Sequence, residues 1–244
     1  MKVAILGKIF KSEQTEYITK IISLLEKKKV SVFLEFEYFK SLKGFISESV
    51  SSFNELDKSF DLLISIGGDG TILKAITFVK DLSIPIVGVN TGRLGFLAKI
   101  QIENIELVIE EIILKNYSIS ERTLIEVSTS ETNQQLSKLN FALNEITLSR
   151  KNTTSMISID TKLDNKHLNS YWADGLIIST PTGSTGYSLS CGGPIIMPEA
   201  ENLIINPIAP HNLNARPLII PDSTEIKIKV NGRENEFLIS LDSR

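Results

Sequence analysis

The 244-residue sequence has a single cysteine, two histidines and no long apolar run. One cysteine, Cys191, cannot form an internal disulfide, which favours a reducing compartment. So few histidines and cysteines argue against a His/Cys zinc site. No apolar stretch approaches the ~18 residues of a membrane-spanning helix, and the apolar start at residues 3–6 is too short for a signal peptide. We therefore expect a cytoplasmic protein with no membrane partner.

The sequence also lacks an excess of charge of either sign, since 26 Lys and Arg stand against 29 Asp and Glu, for a net charge of −3. This balance gives no basic face for a polyanion, so we expect no nucleic-acid partner. The hydrophobic share of 42% is that of an ordinary soluble protein. At about 150 residues per domain, the length predicts two modest domains or one large one.

Several catalytic motifs are missing. The sequence has no G-x-x-x-x-G-K-[ST], and the glycines at 67–70 do not complete G-x-G-x-x-G. Neither H-E-x-x-H nor G-x-S-x-G occurs. These absences exclude a P-loop and the common zinc protease motif, and they leave no serine in a recognisable nucleophile elbow.

Hydrophobic patterning changes between the two halves of the chain. In the first half, strand candidates at 3–7, 30–36, 61–66 and 84–89 alternate with helix candidates at 13–29, 49–58, 71–80 and 104–116. This alternation predicts an α/β domain with a doubly wound, mainly parallel sheet over residues 1–116. Over residues 117–244, strands at 119–129, 139–149, 156–163, 175–180, 225–230 and 236–241 predict an all-β, sandwich-like domain. Because the last strand ends almost at the final residue, we expect that the sequence is cut short there.

The sharpest motif is Gly67-Gly68-Asp69-Gly70-Thr71, between a buried strand and a helix. Glycines let a ligand approach the backbone, and the N–H groups that open a helix attract phosphate. Ligands of a doubly wound sheet bind at this carboxyl edge. A tight turn with Asp69 as its polar residue is the simpler interpretation of Asp-Gly alone. Three glycines between a strand and a helix favour phosphate or nucleotide binding.

A second motif runs from Asp174 to Pro194, where an apolar strand ends in many hydroxyls and glycines. Such groups cap a helix or hold phosphate and ribose oxygens. One serine suffices for a cap, so this many hydroxyls favour a ligand site. Two smaller features are the polar pair Asn144-Glu145, which faces either solvent or a sugar, and the segment 91–97, which follows the fourth strand. Its Phe96 is either ordinary core or stacks on a base.

Four elements in this order resemble the NAD kinase family, and the resemblance covers most of residues 61–244. They are Gly67-Gly68-Asp69-Gly70-Thr71, the stretch Asn90-Thr91-Gly92-Arg93-Leu94-Gly95-Phe96, the pair Asn144-Glu145 and the Asp174 to Pro194 segment. Lipid kinases and 6-phosphofructokinases share the Gly-Gly-Asp-Gly element, whereas the hydroxyl-rich segment with Asn-Glu upstream favours NAD kinase. One departure is Trp172, which stands where many members carry a basic residue.

The resemblance implies phosphoryl transfer from ATP, or polyphosphate in some members, to the 2′-hydroxyl of the adenosine ribose of NAD. It also implies a divalent cation such as Mg²⁺ and assembly as a homodimer or homotetramer. Asp69 matches the family's proton acceptor. The positions that match NAD contacts are Asp69, Gly70, Lys74, Phe96, Asn144, Glu145, Asp174, Thr182, Thr185, Gly186, Tyr187, Ser188, Leu189, Ser190, Ala209 and Arg244.

Two other functions stay open at this point. A lipid kinase would share the Gly-Gly-Asp-Gly-Thr element and an α/β plus β-sandwich plan, and a catalytically silent NAD-binding regulator would share the dinucleotide site. The apolar runs 195–197, 203–205 and 218–220 predict an oligomer built mainly through the second half, although ordinary core explains them equally well.

Overall fold

The computed structural model describes residues 1–7, 12–92, 95–130, 136, 138–151, 155–212, 214–232 and 236–244, without the side chains of residues 12–14. The chain forms two compact units, unit 1 at Met1–Ile119 and unit 2 at Ser120–Arg244. In the described part of the chain, no helix is long and apolar enough to cross a membrane.

Unit 1 contains a parallel sheet of six described strands in the order β3-β2-β1-β4-β5-β6. The strands are β1 (Lys2–Gly7), β2 (Ser31–Glu35), β3 (Ser51–Phe53), β4 (Leu62–Ile66), β5 (Ile86–Asn90) and β6 (Ile100–Gln101). The helices are α1 (Ser12–Lys27), α2 (Phe36–Ser41), α3 (Asp69–Val79) and α4 (Ile105–Ile113).

The core of unit 1 lies on both faces of this sheet. Alternate residues of β1 point to opposite faces, so Val3 and Ile5 join one buried cluster while Ala4 and Leu6 join the other. The first cluster also takes the apolar stripe of α1, and the second takes residues of α3. Helices therefore cover both faces, and the predicted doubly wound α/β fold is confirmed.

The helix expected at 49–58 is wrong. That segment instead contains β3, which pairs with β2, and the helix α2 begins directly after β2. The Glu35 carboxylate caps α2 by accepting the Tyr38 main-chain N–H at 3.0 Å. Phe53 of β3 packs on Phe60 with 5.8 Å between ring centroids, so tertiary packing overrides a weak local pattern.

Unit 2 is mainly antiparallel. One sheet has the order β11-β10-β15, a second has β14-β13-β12-β9-β16, and β7 pairs with β8. Their buried residues form a shared core, with Ile157 and Ile159 from the first sheet against Ile178 and Ile205 from the second. The strands are β7 (Ile125–Glu126), β8 (Phe141–Ala142), β9 (Glu145–Arg150), β10 (Ile157–Leu163), β11 (Lys166–Ala173), β12 (Gly175–Ser179), β13 (Asn202–Ile208), β14 (Leu218–Pro221), β15 (Ile226–Asn231) and β16 (Phe237–Leu241), with the one-turn helix α5 at Tyr187–Ser190.

The sandwich-like plan of unit 2 is confirmed, but the strand at 119–129 shrinks to β7 and the strands β11, β13 and β14 were not predicted. The apolar run 203–205 is buried within β13, so here it serves the unit's own core. By contrast, Ile195 is 69% exposed and Met197 is 71% exposed.

Candidate active site

The glycine-rich turn joins β4 to α3, as the sequence predicts. α3 begins at Asp69, the first residue after Gly67 and Gly68, and is 11 residues long. The Asp69 carboxylate therefore lies at a helix N-terminus, where the macrodipole favours negative charge.

Asp69 is bonded to the segment that follows β5. Its Oδ2 accepts the main-chain N–H of Phe96 at 2.8 Å, and its Oδ1 accepts those of Leu97 and Ala98 at 3.0 Å each. A Cβ at Gly95 would collide with the same carboxylate, so only glycine fits there. The structure thus brings together two motifs that the sequence placed at one sheet edge.

The other predicted contacts in unit 1 differ in their surroundings. Phe96 is 62% exposed, so it is not core, and Gly70 is exposed. Lys74 Nζ lies 3.4 Å from Glu35 Oε1, the carboxylate that also caps α2. Lys74 is therefore already paired within unit 1.

In unit 2, Asn144 and Glu145 stand where β9 begins. Within the described residues, Asn144 Oδ1 and Glu145 Oε2 are buried and have no hydrogen-bond partner. A Cβ at Gly186 would lie 2.9 Å from Glu145 Oε2 and 3.6 Å from Asn144 Nδ2, so both side chains meet at the backbone of Gly186. A buried unpaired acceptor is costly unless a ligand pairs it, so this arrangement favours a binding site over the solvent-facing interpretation.

The electrostatics of Glu145 are unusual for a carboxylate. Burial, followed by repulsion from the Asp242 carboxylate, raises the pKa of Glu145 to about 7, while a hydrogen bond from the Tyr187 main chain lowers it. The Glu145 carboxyl therefore changes its protonation state near neutral pH. Perturbed groups of this kind are concentrated at functional sites.

Most hydroxyls of the segment after β12 bind the protein itself. Thr180 Oγ1 donates to Leu143 O at 2.5 Å and accepts the Gly183 N–H at 3.1 Å. Ser184 Oγ bonds to the main chain of Ile196, and Ser188 Oγ accepts Asn206 Nδ2 at 3.2 Å. The number of hydroxyls therefore overstated the case for a ligand, because several of them hold the loop in shape.

Thr182 is the exception among these hydroxyls. Its Oγ1 is buried without a hydrogen-bond partner in the described part of the chain, whereas Thr185 Oγ1 donates to Thr182 O at 3.4 Å. Its neighbour Gly183 packs so closely on Asn144 O that any Cβ would collide. The helix α5 then exposes Tyr187, Leu189 and Ser190 while burying Ser188.

Three remaining candidates have partners or positions of their own. Asp174 forms a bidentate ion pair with Arg150, with Oδ1 at 2.9 Å from Nε and Oδ2 at 3.3 Å from Nη2. Arg244 donates from Nη2 to Phe141 O at 2.6 Å and from Nε to Leu241 O at 3.1 Å. Ala209 follows β13 with a φ of 43°.

Sequence reasoning missed two features of unit 2. Asp242 is buried, and its carboxylate accepts three main-chain N–H groups of residues 143–145. Trp172, noted only as a departure, packs on His211 with 4.7 Å between ring centroids. An aspartate after a strand signals a turn, but the pattern does not reveal a partner about 100 residues away.

A wide cavity of about 1350 Å³ also lies within unit 2. Its lining mixes polar and apolar groups, and includes Ile146 and Leu148 of β9, Ile226 and Ile228 of β15, and the candidate residue Arg244. Neither Glu145 nor any residue of α5 lines it, so the unpaired polar atoms mark the candidate site better than this cavity does.

The described residues contain no group of three His, Cys, Asp or Glu side chains that could hold a metal ion. Mg²⁺ is usually held by one or two carboxylates together with substrate phosphates. A cation that binds together with a nucleotide therefore does not require a group of three such side chains.

A glycine-rich turn at a helix N-terminus in unit 1 and buried acceptors without partners among the described residues of unit 2 are features expected of a nucleotide-binding enzyme. Residues 3–117 match the ATP-NAD kinase N-terminal domain, and residues 143–244 match the ATP-NAD kinase C-terminal domain. NAD kinases of Flavobacterium psychrophilum and Flavobacterium johnsoniae are 54% and 52% identical over 249 residues, covering 100% of this chain and 85% of each relative.

Two solved structures are similar over the whole chain. Yeast NADH kinase complexed with NADH has a TM-score of 0.87 and 27% identity, and the match covers 75% of that protein. An NAD kinase from Archaeoglobus fulgidus in complex with ATP has a TM-score of 0.77 and 26% identity, and 85% of it is covered. The chain belongs to the NAD kinase family and is a kinase that phosphorylates NAD, which decides between the kinase and the two alternatives.

Proposed function

We propose that the chain transfers the γ-phosphoryl group of ATP to the 2′-hydroxyl of the adenosine ribose of NAD, with Asp69 as the base. The observation that carries the proposal is a group of three buried side-chain atoms of unit 2 that have no hydrogen-bond partner among the described residues, Asn144 Oδ1, Glu145 Oε2 and Thr182 Oγ1. The two acceptors suit the hydroxyl groups of a nucleotide, and the Thr182 hydroxyl can donate or accept.

The chemistry at Asp69 follows from its hydrogen bonds. A carboxylate has about four lone-pair sites, so three N–H donors leave about one for a substrate hydroxyl. Asp69 takes the proton as the 2′-oxygen forms its bond to the γ-phosphorus, the bond from that phosphorus to the bridging oxygen breaks, and ADP leaves. The three N–H groups fix the orientation of the carboxylate during this step.

Other groups assist binding in this proposal. The N–H groups that open α3 at Asp69 and Gly70 suit phosphate oxygens. Phe96, 62% exposed, offers its ring to the adenine. The remaining NAD contacts are the residues that match by resemblance, namely Lys74, Asp174, Thr185, Gly186, Tyr187, Ser188, Leu189, Ser190, Ala209 and Arg244.

A divalent cation, in our proposal Mg²⁺, accompanies the nucleotide phosphates and neutralises their charge. We also propose that the enzyme acts in the cytoplasm as a homodimer or homotetramer. The exposed Ile195, Met197 and Ile219 of unit 2 support an interface there, because exposed apolar side chains favour association. Light scattering at micromolar concentration tests this, and a fully active 27 kDa monomer would contradict it.

The experiment that tests the reaction is incubation with NAD, ATP and Mg²⁺, followed by detection of NADP and ADP in equal amounts. The acceptor site is tested by Asn144→Ala, which we expect to weaken NAD binding by roughly 1 to 3 kcal/mol in isothermal titration, because it unpairs the bound hydroxyl. The matched control is Asn231→Ala, an exposed asparagine on the other sheet of unit 2. Equal NAD affinity in both variants would return Asn144 to a structural role.

A further inference from the structure

The segment 143–145, which carries the Asn144-Glu145 pair, is hydrogen-bonded to a residue about 100 positions further along the chain. Asp242, directly after β16, accepts the N–H of Leu143 on Oδ2 at 2.8 Å and the N–H groups of Asn144 and Glu145 on Oδ1 at 2.8 and 3.1 Å. Its own N–H donates to Glu145 O at 3.1 Å. Asp242 is 6% exposed, so water cannot readily replace these bonds.

We propose that Asp242 is a positioning residue for NAD, because its carboxylate fixes the main chain from which the Asn144 and Glu145 side chains project. This inference rests on the proposed contact of those two side chains with the dinucleotide. Asp242 itself does not contact the substrate in this proposal.

The carbonyl groups of the same segment are hydrogen-bonded as well, and we call the two sets of bonds the Asp242 clamp and the Thr180 clamp. Leu143 O accepts the Thr180 hydroxyl, and Asn144 O accepts the Thr180 N–H at 2.9 Å. The segment is thus bonded on its N–H side to Asp242 and on its carbonyl side to Thr180. The orientation of the Asn144 and Glu145 side chains therefore depends on both clamps, and only Asp242 brings a charge.

The charge of Asp242 gives a signature that a purely structural residue would lack. Burial is the main cause of the raised Glu145 pKa, and repulsion from Asp242 is the second. The other groups that act on Glu145 are the Tyr187 main-chain N–H, which lowers the pKa of Glu145, and Cys191, which interacts with it electrostatically. Removing the Asp242 charge should lower the Glu145 pKa while leaving the burial in place.

The test is Asp242→Asn, with steady-state kinetics for NAD measured from pH 5.5 to 8.5. The amide turns an N–H donor toward one of the three main-chain donors, so we expect KM for NAD to rise about fivefold or more, with kcat within about threefold. The pH below which KM rises should also move down by about half a unit or more, since the repelling charge is gone.

The matched control is Asp164→Asn. Asp164 also lies in unit 2 and has a positive φ, and its carboxylate accepts the Glu225 main-chain N–H at 3.0 Å. This variant should leave both KM and the pH profile unchanged. Asp242→Gly is the second variant, because glycine adopts the φ of 49° at this position easily while it removes the carboxylate.

An unchanged KM and pH profile in both Asp242 variants would overturn the proposal, because NAD binding would then not depend on this carboxylate. Failure of both variants to fold would also overturn it, because that result assigns Asp242 to folding. The result is also separable from the proposed NAD contact. If Asn144→Ala and Glu145→Gln leave NAD affinity unchanged, the contact itself is wrong. If they weaken affinity while Asp242→Asn does not, only the positioning role is wrong.

Discussion

Asp69 in unit 1 and Asp242 in unit 2 accept the same set of hydrogen bonds, three from consecutive main-chain N–H groups, but in different surroundings. Asp69 is half-buried at the N-terminus of α3 and holds a segment whose Phe96 is largely exposed. Asp242 is buried at the end of β16 and holds the start of β9.

We infer that the same hydrogen bonds support different functions in the two units. A half-buried carboxylate is accessible to a substrate hydroxyl, whereas a buried one is confined to the main chain it already binds. Geometry therefore suits Asp69 for chemistry and Asp242 for positioning. Substitutions that change each carboxylate by the same small step test this contrast directly.

The largest effect is expected for turnover in Asp69→Asn. The amide keeps the size of the side chain but cannot accept the ribose proton, and loss of a general base costs about 10²- to 10⁴-fold in rate. NAD affinity, measured by titration, should change little. The control is Asp81→Asn, an exposed aspartate after α3.

Near wild-type turnover in Asp69→Asn would remove the base assignment. A loss of NAD binding together with turnover would instead show that the clamp on residues 96–98 shapes the site, which would make Asp69 resemble Asp242.

The second effect is on the free energy of unfolding, which we expect to change more at Asp242 than at Asp69. Asp242→Ala leaves three main-chain N–H groups unpaired, those of Leu143 and Glu145 being buried, so we expect a loss of about 3 kcal/mol or more. Water can replace Asp69 in Asp69→Ala at a cost of about 1 kcal/mol. Trp172, the single tryptophan, lies in unit 2, so its fluorescence in urea follows that unit. Far-UV circular dichroism follows both units.

The reference for unit 2 is Asp164→Ala, since Asp164 is exposed. If Asp242→Ala and Asp164→Ala lose equal free energies of unfolding, burial of the aspartate does not decide the cost.

The third effect is a pH dependence confined to unit 2. The Glu145 pKa is raised to about 7, so the carboxylate is ionised above that pH and protonated below it. If the ionised form accepts a hydroxyl of NAD, 1/KM for NAD should fall about tenfold for each pH unit well below 7. Glu145→Gln should weaken binding at pH 8 and flatten the profile, and a profile that keeps its slope in this variant would assign the titration to another group.

Local patterns predicted most of the strands and helices of unit 1, because β1 and β4 are continuous apolar runs and α1 carries a regular apolar stripe. They failed where distant packing decides, as at β3, and at β11, where most side chains are polar and exposed. The sequence also singled out Asp69 and Asn144-Glu145 as candidate site residues, and their roles stay predictions. It could not locate the Asp242 clamp or separate structural hydroxyls such as Thr180 from Thr182, because both distinctions depend on partners far along the chain.

The smallest effect is expected for Lys74→Met, which tests how far the unit 1 site extends along α3. Lys74 is half-exposed and pairs with Glu35 at 3.4 Å, and an ion pair of this kind contributes about 0 to 1 kcal/mol. If Lys74 adds only a weak contact to NAD, KM should rise no more than about threefold and the melting temperature should hardly move. Lys80→Met, an exposed lysine at the end of the same helix, is the control. A KM increase of tenfold or more with unchanged melting temperature would instead make Lys74 a major contact for NAD, and unit 1 would then contribute to binding as strongly as to chemistry.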